Sequence, residues 1–262
     1  YIDKQVENIK ERLGVNKVYS PNELEIKKIT TYDNKVDSNE EIYKKIKKLK
    51  PFTVKGYQFT IKQSEGNVKI YVLNKKIFKE AVEKTIAAFA GTENYNNYKN
   101  NTQKEIETTG TKIENVYLSN DITVKNVYIP VTETIYEDAD SLSRFLLFGN
   151  NKQKTYYTVQ PGDTVEKIAF NNQVTIEELL VSNPEISSEK ALLYQGQQIT
   201  ISYLDTKVNV VIETYQVNDV ESAFRVEEKY DANRLLGDDL ITQKGENGLE
   251  RVTQKVRSEN GG

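Results

Sequence analysis

Two helix-start signals recur within residues 156–203, each flanked by turn residues, and they leave room for little except a small strand–helix–helix–strand unit. Tyr156-Tyr157-Thr158-Val159 reads as a short strand, and Gln160-Pro161-Gly162 turns the chain. Asp163-Thr164-Val165-Glu166 has a capping-box layout, with an acidic N-cap and Glu at the third helical position. Val165, Ile168 and Ala169 follow at i, i+3, i+4, the spacing of one helical face. A second box, Thr175-Ile176-Glu177-Glu178, opens a second helix with Ile176, Leu179 and Leu180 at the same spacing. Asn183-Pro184 closes it, because the residue before a proline is pushed out of the α region. Gln195-Gly196-Gln197 then turns into a last strand, Gln198–Ser202, with Ile199 and Ile201 facing inward.

This stretch resembles a lysin-motif (LysM) module. The resemblance rests on Tyr157-Thr158-Val159-Gln160-Pro161-Gly162-Asp163-Thr164-Val165, Ile168-Ala169, Thr175, Leu179, Asn183-Pro184 and Gly196-Gln197-Gln198-Ile199-Thr200-Ile201. Gln195 departs from it, since the family often has Pro before the Gly-Gln pair. The resemblance implies binding of glycans that contain N-acetylglucosamine, chiefly peptidoglycan or chitin, in a groove between the loop after the first strand and the loop after the second helix. On this sequence the first wall is Gly162, Asp163, Thr164 and Val165, and the second is Asn183, Pro184, Glu185 and Ile186. Backbone amides near a helix start can donate to an acetamido carbonyl. Each residue also has a plain structural role: Asp163 as a cap, Pro184 as a helix stop, Ile186 as a core plug. A lone shallow site implies micromolar to millimolar binding, roughly −8 to −4 kcal/mol. Repeated sites along a glycan strand raise this through effective concentration.

The tail, residues 206–262, reads as β-rich. Val208, Val210 and Ile212 alternate, as do Val252 and Val256. Leu236-Gly237-Asp238-Asp239, Gln243-Lys244-Gly245-Glu246-Asn247-Gly248 and Asn260-Gly261 resemble a five-glycine (G-five) extracellular module lacking its last strands. That family forms thin extended sheets beside wall-cleaving enzymes and adhesins; a stalk or spacer is the reading taken, with sugar binding as its rival. Asn-Gly is a hairpin signal, so the chain is expected to continue beyond Gly262. The order of the two modules resembles exported clostridial-type cell-wall hydrolases, which often end in a lysostaphin-like zinc endopeptidase domain. The metal ligands of such a domain are expected beyond residue 262, because His is absent here.

Composition narrows the chemistry. Hydrophobic residues make up 37% of the 262 residues, below the usual figure of about 45–50%, so the cores are small. The net charge of −3 gives no basic field for nucleic acid. His, Cys, Met and Trp are absent. No thiol nucleophile, disulfide, Ser-His-Asp triad or His-based zinc site is available. Absent Cys fits an exported protein of a Gram-positive-like bacterium. With Tyr1 first and no Met, a signal peptide or anchor is expected to have been removed upstream. No run of about 18 apolar residues spans a bilayer.

The front, residues 1–150, alternates helical and strand patterns. Ser38-Asn39-Glu40-Glu41 is a capping box, Ile42, Ile46 and Leu49 fall on one face, and Pro51 stops that helix. Its lysines (44, 45, 47, 48, 50) read as a solvated face. Residues 52–62 and 67–73 read as strands about a Ser64-Glu65-Gly66-Asn67 turn. A helix over 75–90 carries Phe78, Val82, Thr85, Ile86 and Phe89, and Gly91 ends it. Residues 92–104 read as an exposed loop. Residues 112–118 and 121–131 read as a second hairpin, with a bulge near Lys125-Asn126 where the apolar parity switches. A helix over 140–148 carries Leu142, Phe145 and Leu146, and the polar run at 150–154 marks a domain boundary.

The expected fold is therefore α+β and multidomain: an N-terminal α+β region (1–150), a βααβ LysM module (155–204) and an elongated, incomplete antiparallel β module (206–262). The expected function is extracellular peptidoglycan binding and spacing that positions a wall hydrolase domain absent from these residues. The alternative is a structural or adhesive surface or spore-wall protein. A carboxylate-pair glycosidase in the front region would draw on Glu80, Glu83, Glu133, Glu137 and Asp138, which need a separation of about 5–9.5 Å across a cleft. The expected partner is peptidoglycan or another N-acetylglucosamine glycan, at the cell wall. No catalytic residue, metal, cofactor or nucleic-acid partner is expected of this chain.

Overall fold

The computed structural model describes residues 1–20, 27, 30, 32, 36–150, 155–229, 232–233, 235, 237 and 240–262. The linker residues 151–154, and Leu236, Asp238 and Asp239 of the glycine-rich tail, lie outside them. The front region begins with α1 (Ile2–Leu13) and α2 (Asn39–Leu49), then β1 (Thr53–Ile61) and β2 (Val68–Val72). There follow α3 (Lys75–Ala90), α4 (Thr92–Lys99), β3 (Gly110–Leu118), β4 (Ile122–Pro130), β5 (Ile135–Tyr136) and α5 (Ala139–Phe148). The middle module is β6 (Thr155–Thr158), α6 (Val165–Asn171), α7 (Ile176–Ser182) and β7 (Gln198–Ile201). The chain ends with β8 (Val210–Ser222) and β9 (Gly248–Glu259). The architecture is α+β and multidomain, with a C-terminal β module.

The strands make three sheets, ordered β4-β1-β2-β5, β3-β8-β9 and β6-β7. The turn at Ser64–Asn67 joins β1 and β2 as the sequence predicts, with Tyr57 opposite Val72 and Ile61 opposite Val68. The first sheet is covered on both faces. Phe59, Ile61, Ile70 and Val72 pack under α3, where Phe59 stacks on Phe78 with ring centroids 3.8 Å apart. Val54 and Ile129 point the other way and pack with Ile9 and Leu13 of α1 and with Phe52.

That double coverage explains the parity switch in β4. Ile122 joins the α3 side and Ile129 the α1 side, while the register with β1 runs one-to-one from Thr53–Pro130 to Ile61–Ile122. The expected bulge is absent from this ladder; burial changes face instead. The expected hairpin of β3 with β4 is also corrected. β4 pairs with β1, and β3 pairs with β8, nearly a hundred residues away in sequence. Residues 92–99, expected as loop, form α4, whose Tyr95 and Tyr98 lean on the core.

Helix α2 confirms its start signal, and α2 and α3 both qualify their expected stripes. In α2, Ser38 and Glu41 form the reciprocal capping box, yet Leu49 is 83% exposed and Ile42 is also exposed; of the expected stripe Ile46 makes the contact, joined by Tyr43. In α3, Phe78, Thr85 and Ile86 are buried as expected. The Thr85 hydroxyl donates to the Ala81 carbonyl (2.8 Å) and sits 3.0 Å from the Ser143 hydroxyl of α5, which makes its burial tolerable.

One core crosses the regions drawn from sequence. Ile113 of β3 and Val208, Val210 and Ile212 join Phe59, Ile61, Leu142 and Leu146 in a single cluster. The segment entering β8 is strapped to α5: Asp205 N–H donates to Leu147 O (3.0 Å) and Lys207 N–H to Leu146 O (2.7 Å). The strand pair β8–β9 runs from Val211–Glu259 to Ser222–Gly248, with most β9 side chains exposed. At its end, Asn260 and Gly261 both have positive φ (52° and 90°), and Glu259 and Gly262 exchange backbone hydrogen bonds. This is the geometry that favours Asn-Gly in two-residue turns.

Candidate functional site

The middle module closes as a strand–helix–helix–strand unit. β6 and β7 pair antiparallel from Thr155–Ile201 to Thr158–Gln198. Behind them, Val159, Val165, Ile168, Leu179, Ile186 and Ile199 form a separate core. Burial of those apolar side chains, at roughly 1.5–3 kcal/mol for a large one, is the main force closing so small a unit.

The loop after β6 is built by Asp163. Pro161 and Gly162 occupy the second and third places of a turn closed by Asp163 N–H to Gln160 O (3.2 Å), and Gly162 has the positive φ (84°) such turns need. The Asp163 Oδ2 accepts from Gln160 N–H (2.8 Å) and from the Tyr157 hydroxyl (2.8 Å). The Gln160 backbone bond, followed by the Tyr157 hydroxyl, holds this carboxyl below the ordinary aspartate range. The shared bond pushes the Tyr157 hydroxyl up. The cap of α6 is Thr164, whose side chain accepts from Lys167 N–H (3.2 Å). The sequence reading with Asp163 as N-cap and Glu166 as its box partner is thus one residue out of register. Asp163 is engaged backwards, on the turn. The second box is as expected: Thr175 accepts from Glu178 N–H (3.1 Å), and the Glu178 carboxylate accepts from Thr175 N–H (2.9 Å).

The eight groove residues divide by exposure. Gly162, Thr164, Pro184 and Glu185 are exposed, and Asp163 is half-buried. Val165, Asn183 and Ile186 are buried, so their side chains shape the loops from beneath. An added Cβ at Gly162 would meet open space, and its carbonyl accepts from Lys167 Nζ (3.1 Å). The two loops are joined at their base, where Val159 N–H donates to Gln197 O (2.9 Å) and Gly196 N–H to Val159 O (3.0 Å).

Sequence reasoning missed two exposed side chains in the second loop, Leu192 (86%) and Tyr194 (75%). An exposed tyrosine ring offers an apolar face for a sugar's C–H groups and a wet hydroxyl. The signal was a large apolar pair in a polar loop just before Gln195-Gly196.

A cleft of about 400 Å³ lies between this module and the helices of the front region. Arg144 and Phe148 of α5, Lys84 of α3, and Val181, Pro184 and Thr200 of the module are among its lining residues. A second, polar depression of about 640 Å³ lies where the β1–β2 turn meets residues 119–121 and 205–209. Four of its charged residues pair, Lys62 with Asp121 (3.3 Å) and Lys207 with Asp205 (2.5 Å), and Glu65 also lines it.

The acidic residues considered for hydrolysis sit otherwise. Glu80 pairs with Lys76 (3.4 Å) and Glu83 with Lys99 (2.7 Å). Asp138 is the N-cap of α5, accepting from Ser141 N–H (2.7 Å), and that bond holds its carboxyl below the usual range. Glu133 and Glu137 are exposed. Among the described residues no helix is long and apolar enough to cross a membrane.

Compared with known families, residues 157–202 match the LysM domain and residues 213–262 match the G5 domain. The chain therefore carries a LysM domain followed by a G5 domain. The first supports binding of peptidoglycan or another N-acetylglucosamine glycan, and the second supports association with the cell surface. Domains of these two kinds are typical of extracellular, cell-wall-associated proteins. No curated protein and no solved structure matches the chain.

Proposed function

We propose that this chain is the wall-binding and spacing part of a peptidoglycan-directed protein, in which residues 157–202 grip N-acetylated glycan and the β3-β8-β9 sheet holds a wall-cleaving domain at a distance. The observation that carries the grip is the pair of exposed loops, Gly162–Thr164 and Pro184–Glu185, on a module whose core is complete without them. Backbone groups of these loops suit an acetamido group, and Tyr194 suits a ring face. The spacing role is supported by the long β8–β9 pair, whose outer strand is mostly exposed and whose root is fixed in the core. Positioning of a hydrolase is supported by the order of the two domains, which is similar to that of exported wall hydrolases.

In this reading the chain acts by binding, without cofactor or metal. The engagement of Glu80, Glu83 and Asp138 in ion pairs and a cap supports that over a carboxylate-pair glycosidase. The test is co-sedimentation with purified peptidoglycan, competed by soluble chitotetraose. Competable binding is the expected result, and a chain that stays in the supernatant would refute the reading. The spacer role is tested by fusing the chain to a wall hydrolase domain. The fusion should raise activity on insoluble wall while leaving activity on soluble muropeptides unchanged.

A further inference from the structure

Arg144 stands in the cleft between the LysM domain and α5 without an ion pair among the described residues. The other charged groups lining that cleft, Lys84 and Asp140, neutralise each other in an ion pair. The cleft thus carries one uncompensated positive charge on a chain whose net charge is −3. Its apolar surfaces include Phe148, Val181 and Pro184. Of the eight groove residues, Pro184 lines this cleft, so the cleft continues from the LysM surface into the front region.

We propose that this cleft receives a carboxylate-bearing branch of the bound glycan, the acidic stem peptide that peptidoglycan carries and chitin lacks, and that Arg144 is its anchor. The proposal rests on the glycan-binding reading and adds what selects among glycans. A guanidinium presents a planar fork that matches a carboxylate with two parallel hydrogen bonds. A recess with apolar walls screens that contact less than open surface does. The aliphatic parts of a peptide branch lie against Phe148 and Val181, while Thr200 and Ser202 offer polar groups at the LysM side. The anchor lies outside residues 157–202, so the LysM domain alone lacks it.

The test is calorimetric titration of the whole chain with two probes of equal sugar count. One is chitotetraose. The other is a tetrasaccharide of alternating N-acetylglucosamine and N-acetylmuramic acid bearing acidic stem peptides. The wild-type chain should bind the second about three- to tenfold more tightly, the range for a partly exposed charge-assisted contact. Arg144→Ala, at an exposed helical position, should abolish that preference and leave chitotetraose binding unchanged; Arg144→Lys should retain part of it. Equal affinities in wild type, or equal losses for both probes in Arg144→Ala, would overturn this proposal and leave the glycan reading standing. Binding of neither probe would overturn both.

Discussion

Asn183 holds Thr200 by both of its backbone groups. The Asn183 Nδ2 donates to Thr200 O (2.8 Å) and to Leu179 O (2.7 Å), and its Oδ1 accepts from Thr200 N–H (2.7 Å). One side chain, 1% exposed, thereby closes α7 and fixes β7 against it. Asn183→Ala leaves those groups without partners, and each buried unsatisfied group costs about 1–3 kcal/mol. Denaturant unfolding of the variant should show a loss of at least about 2 kcal/mol. An unchanged midpoint would remove this residue from the frame of the module.

The turn at Gln160–Asp163 should answer to acid. Asp163 ionises more readily folded than unfolded, first through the Gln160 N–H and then through the Tyr157 hydroxyl. Its stabilisation is therefore full above the ordinary aspartate value of about 4 and is lost as pH falls through the depressed one. Thermal melts of wild type and Asp163→Asn should differ by a constant gap from neutral pH down to about pH 4, then converge. A gap that widens on acidification contradicts the assignment.

Gly149 ends α5 at φ 56° and ψ −138°, a conformation that side chains resist. A Cβ there would run into the Asp205 carboxylate and lie 2.7 Å from Lys207 Cε. Gly149→Ala should loosen the strap between α5 and the entry to β8, at a cost of about 2 kcal/mol. The readout is the denaturation midpoint together with amide exchange at Asp205 and Lys207, both of which bond to α5. Unaltered protection at those amides would show that the strap tolerates the change.

Val210 of β8 is fully buried in the same cluster as Phe59 and Ile61 of β1. Val210→Ala should cost about 2 kcal/mol through lost contacts and a cavity. Because the core is shared, exchange should quicken in α3 as well as in β8. Quickening confined to β8 and β9 would show that the C-terminal sheet opens by itself.

The middle module was legible because its signals are local. Caps, a Pro stop and turn glycines act within a few residues, and the i, i+3, i+4 spacing of Val165, Ile168 and Ala169 puts all of them in the core. The one slip there, Asp163 for Thr164 as the cap, arose because adjacent Asp and Thr are both good caps, and Tyr157 and the Gln160 backbone claimed the first. The β3–β4 hairpin failed for the opposite reason. Each strand's partner is distant in sequence, and alternation reveals a strand without naming its neighbour. Asn-rich residues 92–99 hid α4, because its support comes from Tyr95 and Tyr98 against the core rather than from propensity. Arg144 gave no signal, since the cleft it lines is made by segments brought together only in the fold.

The most direct test of the grip is an NMR titration of the isotopically labelled chain with chitotetraose. Saturable shifts should cluster at the amides of Gly162 to Val165 and Glu185 to Ile186, extending to Leu192 and Tyr194. Saturation with every shift outside residues 157–202, or no shift at all, would contradict the account.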